Sequence, residues 1–276
     1  MQPSRSPLVM GIVNVTPDSF SDGGRFLGRD AALDHARRLI ADGADILDVG
    51  GESTRPGADP VSEDEELARV VPVIAALAAE TDRPISVDTV KPGVARAAVA
   101  AGARVWNDVT ALRGAAGSLA AAAELGCEVV LMHMQGEPRT MQAEPHYDDV
   151  VREVAEFLAG RAAAAMAAGV ARENIWLDPG VGFGKHMIRH NLPLMAGLCE
   201  IVELGFPVLL GASRKSFISA LDPVARTAGD RLGGSLAAAL AGAAAGVAAV
   251  RVHDVRETVQ ALKVWTAITQ AGEPAP

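Results

Sequence analysis

The sequence predicts an α/β protein, a single (β/α)8 barrel with its active site at the carboxyl ends of the strands. Eight short runs rich in Val, Ile and Leu alternate with longer segments of helical periodicity. The apolar runs are continuous, which is typical of strands buried on both faces of a parallel sheet. The 276 residues divide into eight units of about 34 residues without a linker, so one domain over 1–276 is the simplest organisation.

Predicted strands and helices alternate along the chain. The strands cover 8–14, 45–50, 84–88, 103–108, 127–133, 174–178, 206–212 and 247–253. The helices cover 29–42, 63–79, 92–101, 116–125, 147–168, 190–204, 229–246 and 254–270. Ser62 and Glu65 have the spacing of a capping box at the start of the second helix. A doubly wound parallel sheet is the alternative arrangement of the same elements.

Composition and charge narrow the class of function. Apolar residues make up 49% of the chain and charged residues 21%, as in soluble globular proteins. The formal net charge of −9 argues against a general nucleic-acid partner, because binding phosphates requires a basic surface. With no membrane-length apolar run and no secretory signal, we expect no membrane partner and a cytoplasmic protein. Cys127 and Cys199 form no CxxC pair and lie in apolar segments, so we expect two buried free thiols.

Polar residues stand where each predicted strand ends. Barrel enzymes keep their active sites at these carboxyl ends. Any one such residue can be a strand cap, but a polar side chain at all eight ends favours a ligand site, because buried polar groups require partners. The residues are Asn14, Asp48, Asp88, Asn107, Asp108, His133, Asp178, Ser213, Arg214, Lys215, Arg251 and His253.

Three polar, glycine-rich loops follow the first, second and sixth strands. They read TPDSFSDGG (16–24), GGESTRPG (50–57) and DPGVGFGK (178–185). Their glycines permit tight turns and close approach of the backbone to a ligand. The spacing around Gly184 and Lys185 does not match Walker A, and the third loop does not match GxGxxG. The sequence also lacks the HExxH and Cys-pair patterns of zinc sites.

Six motifs resemble the dihydropteroate synthase family, in its order and over nearly the whole chain. The motifs are NVTPDSFSDGG, GGESTRPG, NDV, DPGVGFGK, GASRKSF and RVHDV. The resemblance implies a (β/α)8 barrel, usually homodimeric, that uses Mg²⁺. It also implies that 6-hydroxymethyl-7,8-dihydropterin diphosphate and 4-aminobenzoate are condensed with release of diphosphate. The segment 221–235 looks longer than in many relatives.

The resemblance further implies a role for each matching residue. The pterin pocket comprises Asp88, Asn107, Asp178 and Lys215. The diphosphate site comprises Asn14, Arg251 and His253, with Asn14 also on the Mg²⁺. The aminobenzoate site comprises Thr54, Arg55, Pro56, Phe183, Ser213 and Lys215. The catalytic residues are Asp88, Lys215, Arg251 and His253. Loops carrying Asp18, Phe20 and Arg55 would close over the substrates, and Asp48, Asp108 and His133 either contact substrate or support the pocket.

The proposed chemistry needs polar groups of these types. A pterin presents N–H donors and a carbonyl along one edge. Carboxylates can accept from the donors, a lysine can donate to the carbonyl, and an amide can do both. The departing diphosphate accumulates negative charge, which Arg, His and Mg²⁺ can stabilise. An aryl amine is neutral at pH 7, so we expect no catalytic triad.

Two other functions remain as alternatives. One is methyl transfer from a methyltetrahydrofolate on the same kind of barrel, and the other is pterin binding without catalysis. GGESTRPG and GASRKSF count against the first. The presence of Asn14, Lys215, Arg251 and His253 counts against the second.

Overall fold

The computed structural model describes residues 6–15, 25–53, 60–136 and 140–271, without the side chains of residues 25–27. Within these ranges, eight strands form one parallel sheet. The strands are β1 Leu8–Asn14, β2 Ile46–Gly50, β3 Ile85–Asp88, β4 Val105–Asp108, β5 Glu128–Met132, β6 Ile175–Asp178, β7 Leu209–Leu210 and β8 Ala249–Val252. Each helical region lies between two strands or after β8.

The helices of the described residues differ widely in length. In chain order they are α1 Arg25–Ala41, α2 Glu63–Glu80, α3 Pro92–Ala100, α4 Ser118–Leu125, α5 Val150–Ala167, α6 Asn191–Ala196, α7 Leu198–Val202, α8 Ser216–Leu221, α9 Leu232–Ala245 and α10 Val255–Ala271. Short 3-10 turns cover Arg172–Asn174 and Gly229–Arg231. Ser62 caps α2 by accepting a hydrogen bond from the backbone N–H of Glu65, as the capping-box spacing predicts. No helix in these stretches is long and apolar enough to cross a membrane.

The sheet closes into a barrel between β6 and β7. The strand order is β6-β5-β4-β3-β2-β1-β8-β7, so these two strands are its ends. A single bridge pairs Leu177 with Val208, and the Leu177 N–H donates to the carbonyl of Pro207 at 2.9 Å. This pairing joins the last strand in the order to the first, so the sheet is closed. The (β/α)8 prediction is confirmed, and the doubly wound sheet is wrong.

Successive strand residues alternate between two apolar layers. Residues such as Val49, Val87 and Leu177 face outward and pack in the main core with the surrounding helices. The other set forms a separate cluster inside the barrel, which we call the floor. The floor comprises Met10, Ile46, Val105, Val130, Leu209 and Ala249, with Trp176 packed against them. Because side chains alternate along a strand, the inward residues beyond the floor lie at the carboxyl-end mouth.

The elements between β6 and α9 depart most from the predictions. The predicted helix 190–204 is two short helices, α6 and α7, that meet at Gly197. The predicted strand 206–212 is reduced to Leu209–Leu210, because Pro207 has no N–H to donate to a neighbour. The short helix α8 was not predicted. Cys127 is buried as expected, but Cys199 on α7 is exposed, so that prediction was wrong.

Candidate active site at the carboxyl ends of the strands

Arg251 bridges two carboxylates above the floor. Its Nε donates to Asp48 Oδ2 at 2.6 Å, and its Nη2 donates to Asp88 Oδ2 at 2.8 Å. The Asn107 amide also donates to Asp48 Oδ2, at 3.3 Å. Strands β8, β2, β3 and β4 therefore contribute to one hydrogen-bonded cluster. Asp48 was predicted either to contact substrate or to support the pocket. The geometry favours support of the pocket, because this carboxylate orients both Arg251 and Asn107.

Burial and the surrounding carboxylates govern the charges of this cluster. Burial raises the pKa of Asp88 to about 7; Arg251 opposes the shift, and Asp48, Glu66 and Asp108 reinforce it. Burial also opposes the charge of Arg251. The neighbouring Asp48 and Asp88 nevertheless hold its pKa above the ordinary value. Arg251 thus keeps its charge, whereas Asp88 changes its charge near neutral pH.

A second pair of opposite charges comes from β6 and the segment after β7. Asp178 Oδ1 accepts a hydrogen bond from the Gly180 N–H at 2.7 Å, and burial raises the pKa of Asp178. Lys215 donates to the Val181 carbonyl, and its Nζ lies 4.6 Å from the ring centre of Phe183. Burial lowers the pKa of Lys215 to about 8, with Asp178 opposing the shift. The pair places an acceptor and a donor at the same mouth.

His253 and Ser213 connect the segments that follow β7 and β8. The His253 backbone N–H donates to Ser213 Oγ at 3.2 Å, and this oxygen lies 3.1 Å from His253 Nδ1. The next residue, Arg214, has a φ of +59°, which is unusual for a non-glycine residue. Its Nε donates to Asp254 Oδ2 at 2.9 Å, which fixes the turn that leads into Lys215. Ser213 therefore holds His253 in place.

Among the described residues, the Asp108 carboxylate accepts hydrogen bonds from the turn that follows β4, and not from groups at the mouth. One of its oxygens accepts from the N–H and hydroxyl of Thr110 at 2.7 and 2.6 Å. The other accepts from the Leu112 N–H at 3.0 Å. These bonds hold Ala111 and Leu112, whose φ angles are +54° and +59°. Asp108 is thus committed to supporting a strained turn.

Lys185 is a buried polar residue that sequence reasoning did not single out for a role. Its Nζ lies 2.8 Å from His133 Nδ1 and donates to the carbonyls of Gly180 and Phe183, both at 3.0 Å. The His133 ring packs edge-on against Phe157, with ring centres 4.8 Å apart. His133 therefore supports the loop 178–185. A lysine that directly follows a glycine-rich loop at a strand end was the available signal.

The remaining predicted residues are only partly described. Asn14 ends β1 and is half-buried at the level of Gly50 on β2. Asp18, Phe20, Thr54, Arg55 and Pro56 lie outside the described residues. The base of the second loop is visible: Glu52 and the fully buried Glu66 of α2 both form ion pairs with Lys91. The structure thus brings together the residues assigned to the pterin, while half of those assigned to aminobenzoate lie outside the described residues.

Comparison with known proteins identifies the family. A family model described as "Pterin binding enzyme" matches residues 10–253. The dihydropteroate synthase of Escherichia coli K12 is 51% identical over 267 residues, which are 97% of this chain and 93% of that protein. The chain belongs to the dihydropteroate synthase family of pterin binding enzymes. The family relation favours the synthase over methyl transfer or binding without catalysis.

Solved structures of this family share the fold. The Xanthomonas albilineans dihydropteroate synthase with 4-aminobenzoic acid superposes with a TM-score of 0.90 and 53% identity, over 97% of this chain and 94% of that one. The same bacterium's enzyme in complex with 7,8-dihydropteroate gives a TM-score of 0.88 and 50% identity, over 99% and 97%. Those two structures therefore hold an aromatic acid and a pterin conjugate.

Proposed function

We propose that this chain condenses 6-hydroxymethyl-7,8-dihydropterin diphosphate with 4-aminobenzoate, giving 7,8-dihydropteroate and diphosphate. The observation that carries the proposal is the buried set of charges above the floor. Arg251 bridges Asp48 and Asp88, while Asp178 and Lys215 face the same mouth. Buried charges in such number are expensive to maintain, which favours a polar ligand that uses them.

In this proposal, four side chains bind the pterin ring through hydrogen bonds. Asp178 and Asp88 accept from the N–H donors of the aminopyrimidinone edge, and Asn107 both donates and accepts. Lys215 donates to the ring carbonyl. A ligand without the matching groups would leave buried polar atoms unpaired, which gives strong discrimination.

Bond breaking starts at the pterin methylene. The C–O bond to diphosphate cleaves, and its electron pair leaves with the diphosphate while the dihydropterin ring stabilises the cationic methylene. Arg251 and His253 stabilise the negative charge that builds on the leaving group. Ionised Asp88 stabilises the positive charge on the pterin.

The aryl amine then attacks the methylene. Its nitrogen lone pair forms the new C–N bond, and the surplus proton leaves to solvent or diphosphate. We assign the aminobenzoate to Phe183, Ser213 and Lys215 together with Thr54, Arg55 and Pro56. The half-buried Phe183 offers an aromatic face beside the Lys215 ammonium. No strong general base is required, because the amine is neutral before it attacks.

Mg²⁺ fits this site as an ion shared with diphosphate. Among the residues described, no group of three or more His, Cys, Asp or Glu side chains is arranged to hold a metal. Mg²⁺ takes oxygen ligands, and proteins often hold it through one or two side chains plus substrate phosphates. The half-buried amide of Asn14 fits that role at the end of β1. The ion would offset charge on the departing diphosphate when bound.

Diphosphate release tests the proposed reaction. The purified chain is incubated with Mg²⁺ and the pterin diphosphate, with Mg²⁺ and 4-aminobenzoate, and with all three. Release only with all three, accompanied by dihydropteroate, supports the synthase reaction. Release with the pterin diphosphate alone contradicts the coupling step. Absence of release from folded protein contradicts the proposal.

We also infer a cytoplasmic homodimer, as the family resemblance implies. The last helix, α10, leaves the large apolar residues Val264 and Ile268 more than half exposed, which supports a subunit contact there. Light scattering coupled to size exclusion measures the mass. A dimer that Ile268→Glu converts to monomer supports this contact, and a wild-type monomer contradicts the inference.

A further inference from the structure

The loop 178–185 lies directly on the segment that follows β5. Gly180 has a φ of +65°, and a Cβ there would stand 1.9 Å from the His133 carbonyl oxygen. Gly184 has a φ of +58°, and a Cβ there would stand 2.2 Å from the Gln135 carbonyl oxygen. No side chain fits at either position. The glycines therefore allow a contact between backbones, and some other group must satisfy the His133 carbonyl that it buries.

The Lys185 ammonium is that group. We use "carbonyl cradle" for the carbonyl oxygens of Gly180, Phe183 and His133 together with His133 Nδ1. These atoms lie 3.0, 3.0, 3.4 and 2.8 Å from Lys185 Nζ. Lys185 is fully buried, and within the described ranges no salt bridge involves it. Three of the four neighbours are carbonyl acceptors, and His133 Nδ1 accepts when the ring carries its proton on Nε2, so the cradle suits an ammonium donor.

The cradle connects to two of the charged residues assigned to the pterin, Asp178 and Lys215. The Gly180 carbonyl accepts from Lys185, and its N–H donates to Asp178 Oδ1 at 2.7 Å. The Val181 carbonyl, one residue later, accepts from Lys215. The Phe183 carbonyl accepts from Lys185, and its ring lies 4.6 Å from Lys215 Nζ. One ammonium thus fixes the backbone carbonyl before Val181 and the one two residues after it.

We propose that Lys185 is a positioning residue for pterin recognition, acting through the cradle to align Asp178 and Lys215. The inference rests on the proposed contacts of these two residues with the pterin. Lys185 itself is buried beneath the loop and touches neither substrate. The loss of Lys185 would disturb the sub-ångström alignment of Asp178 and Lys215.

Charge adds a second effect on Asp178. The cations that face this carboxyl are Lys215, Arg251 and Lys185, and each lowers the pKa that burial raises. His133 is neutral throughout, since burial, and then the charge of Lys185, lower its pKa to about 2. Burial, with Lys215 adding to it and Asp178 opposing, lowers the pKa of Lys185 well below its usual range. Wherever Lys185 carries its proton, its charge opposes the raised pKa of Asp178, so loss of Lys185 raises that pKa further.

The test compares Lys185→Met with Tyr147→Phe. Methionine fills the space without donors or charge. Tyr147 donates to the Gly184 carbonyl at 2.8 Å, so its variant removes a neutral hydrogen bond from the same loop. Pterin affinity is measured by calorimetry from pH 5.5 to 8.5, and KM for each substrate is measured beside it. Circular dichroism confirms that each variant is folded.

We expect Lys185→Met to weaken pterin binding about tenfold to a hundredfold, the range for a displaced site. Its KM for aminobenzoate should change less than its pterin affinity, because only Phe183 and Lys215 of the described aminobenzoate residues lie at the cradle. The acidic loss of pterin affinity should begin at a higher pH than in the wild type, because Asp178 takes up its proton earlier. Tyr147→Phe should leave that pH dependence unmoved.

A folded Lys185→Met protein with wild-type pterin affinity at every pH overturns the inference. Equal loss of affinity at every pH, together with equal changes in both KM values, also overturns it, because that result describes general loosening. If Lys185→Met does not fold, Lys185→Met with His133→Leu makes the pair apolar and is measured in the same way. Wild-type protein that makes no dihydropteroate would instead refute the proposed function, so the two failures are distinguishable.

Discussion

The floor and the mouth of the barrel interior are built from the same strands and are opposite in chemistry. Ile46 and Asp48 are both inward residues of β2, two positions apart, yet one belongs to the apolar floor and the other to an ion-paired cluster. Val105 and Asn107 repeat the contrast on β4. On β2 and β4 the change from apolar to polar takes place within one inward step along the strand.

The contrast separates the source of stability from the source of chemistry. Burying an aliphatic side chain of the floor contributes about 1.5–3 kcal/mol to the free energy of unfolding. A buried ion pair contributes little net stability, because desolvation offsets the attraction. Changes in the floor should therefore alter folding alone, whereas changes at the mouth should alter binding and rate, and also stability where they leave one buried charge without its partner.

Arg251→Ala should give the largest effect on activity. Removing one charge stabiliser of a transition state lowers kcat about 10²- to 10³-fold. Arg37→Ala is the matched control, because Arg37 also binds two carboxylates, Asp34 and Glu80, but on the surface. Steady-state kinetics on both variants checks the difference. Similar losses of rate in the two variants would break the distinction between mouth and surface.

Asp178→Asn should come next and should act on pterin affinity. Loss of a hydrogen bond to a charged group costs about 1.5–3 kcal/mol, or roughly tenfold to a hundredfold in the dissociation constant. Asp45→Asn is the control, because Asp45 accepts the Val9 N–H at 2.9 Å, at the start of β1 and far from the mouth. Calorimetry with the pterin measures both. Unchanged affinity in Asp178→Asn would move the pterin away from β6.

The pH dependence of Asp88 should sharpen the comparison further. Its pKa is raised to about 7, so below that pH each unit removes about tenfold of the ionised form that pairs with Arg251. We expect kcat/KM of the wild type to rise with pH through about 7, and this limb to vanish in Asp88→Asn. A limb that persists in the variant would belong to another group.

The same shift predicts a change in stability. A carboxyl whose pKa is raised on folding contributes stability that is full below its unfolded pKa, near 4, and lost as pH rises through about 7. Relative to Asp88→Asn, the wild type should therefore be more stable at pH 5 than at pH 8. Urea unfolding at the two pH values measures this. The opposite ordering would contradict the raised pKa.

Ile46→Val should have the smallest effect, confined to folding. Removing one methyl group from a buried isoleucine costs about 0.5–1.5 kcal/mol. Ile46 lies two residues before Asp48 on the same inward face. Urea unfolding should show the loss while kcat and both KM values stay within about twofold. A larger loss of activity would show that the floor and the mouth are coupled.

The strands were predictable because continuous apolar runs distinguish strands buried on both faces. β1 was predicted with the right bounds, 8–14. β7 was predicted five residues too long, because apolar character covers 206–212, whereas ladder pairing is confined to Leu209–Leu210 with a single bridge at Val208. The helix 190–204 was predicted whole, although Gly197 interrupts it. The apolar pattern shows which residues are buried. The length of a strand depends instead on hydrogen bonding to the neighbouring strand, which the local sequence does not show.

The partners at the mouth could not be predicted from local sequence. Arg251 and Asp48 are 203 residues apart, and only closure of the barrel places them together. The position of Asp108 at a strand end resembles that of Asp178, yet its oxygens serve the turn at Leu112. Lys185 was compared with a phosphate-binding spacing, which it fails. The alternating glycines before it, which turn carbonyls toward one point, were the overlooked signal.

The thin closure between β6 and β7 gives the barrel a preferred place to open. Only Leu209 and Leu210 form β7, and the bridge from Leu177 to Val208 joins it to β6. Few backbone hydrogen bonds have to break there, so local opening is least costly at this seam. Amide exchange at Leu177 should accordingly be faster than at Val49, within the longer pairing of β1 and β2. The most protected part of the sheet then lies beneath Asn14, and the most yielding part lies beneath Asp178 and Ser213.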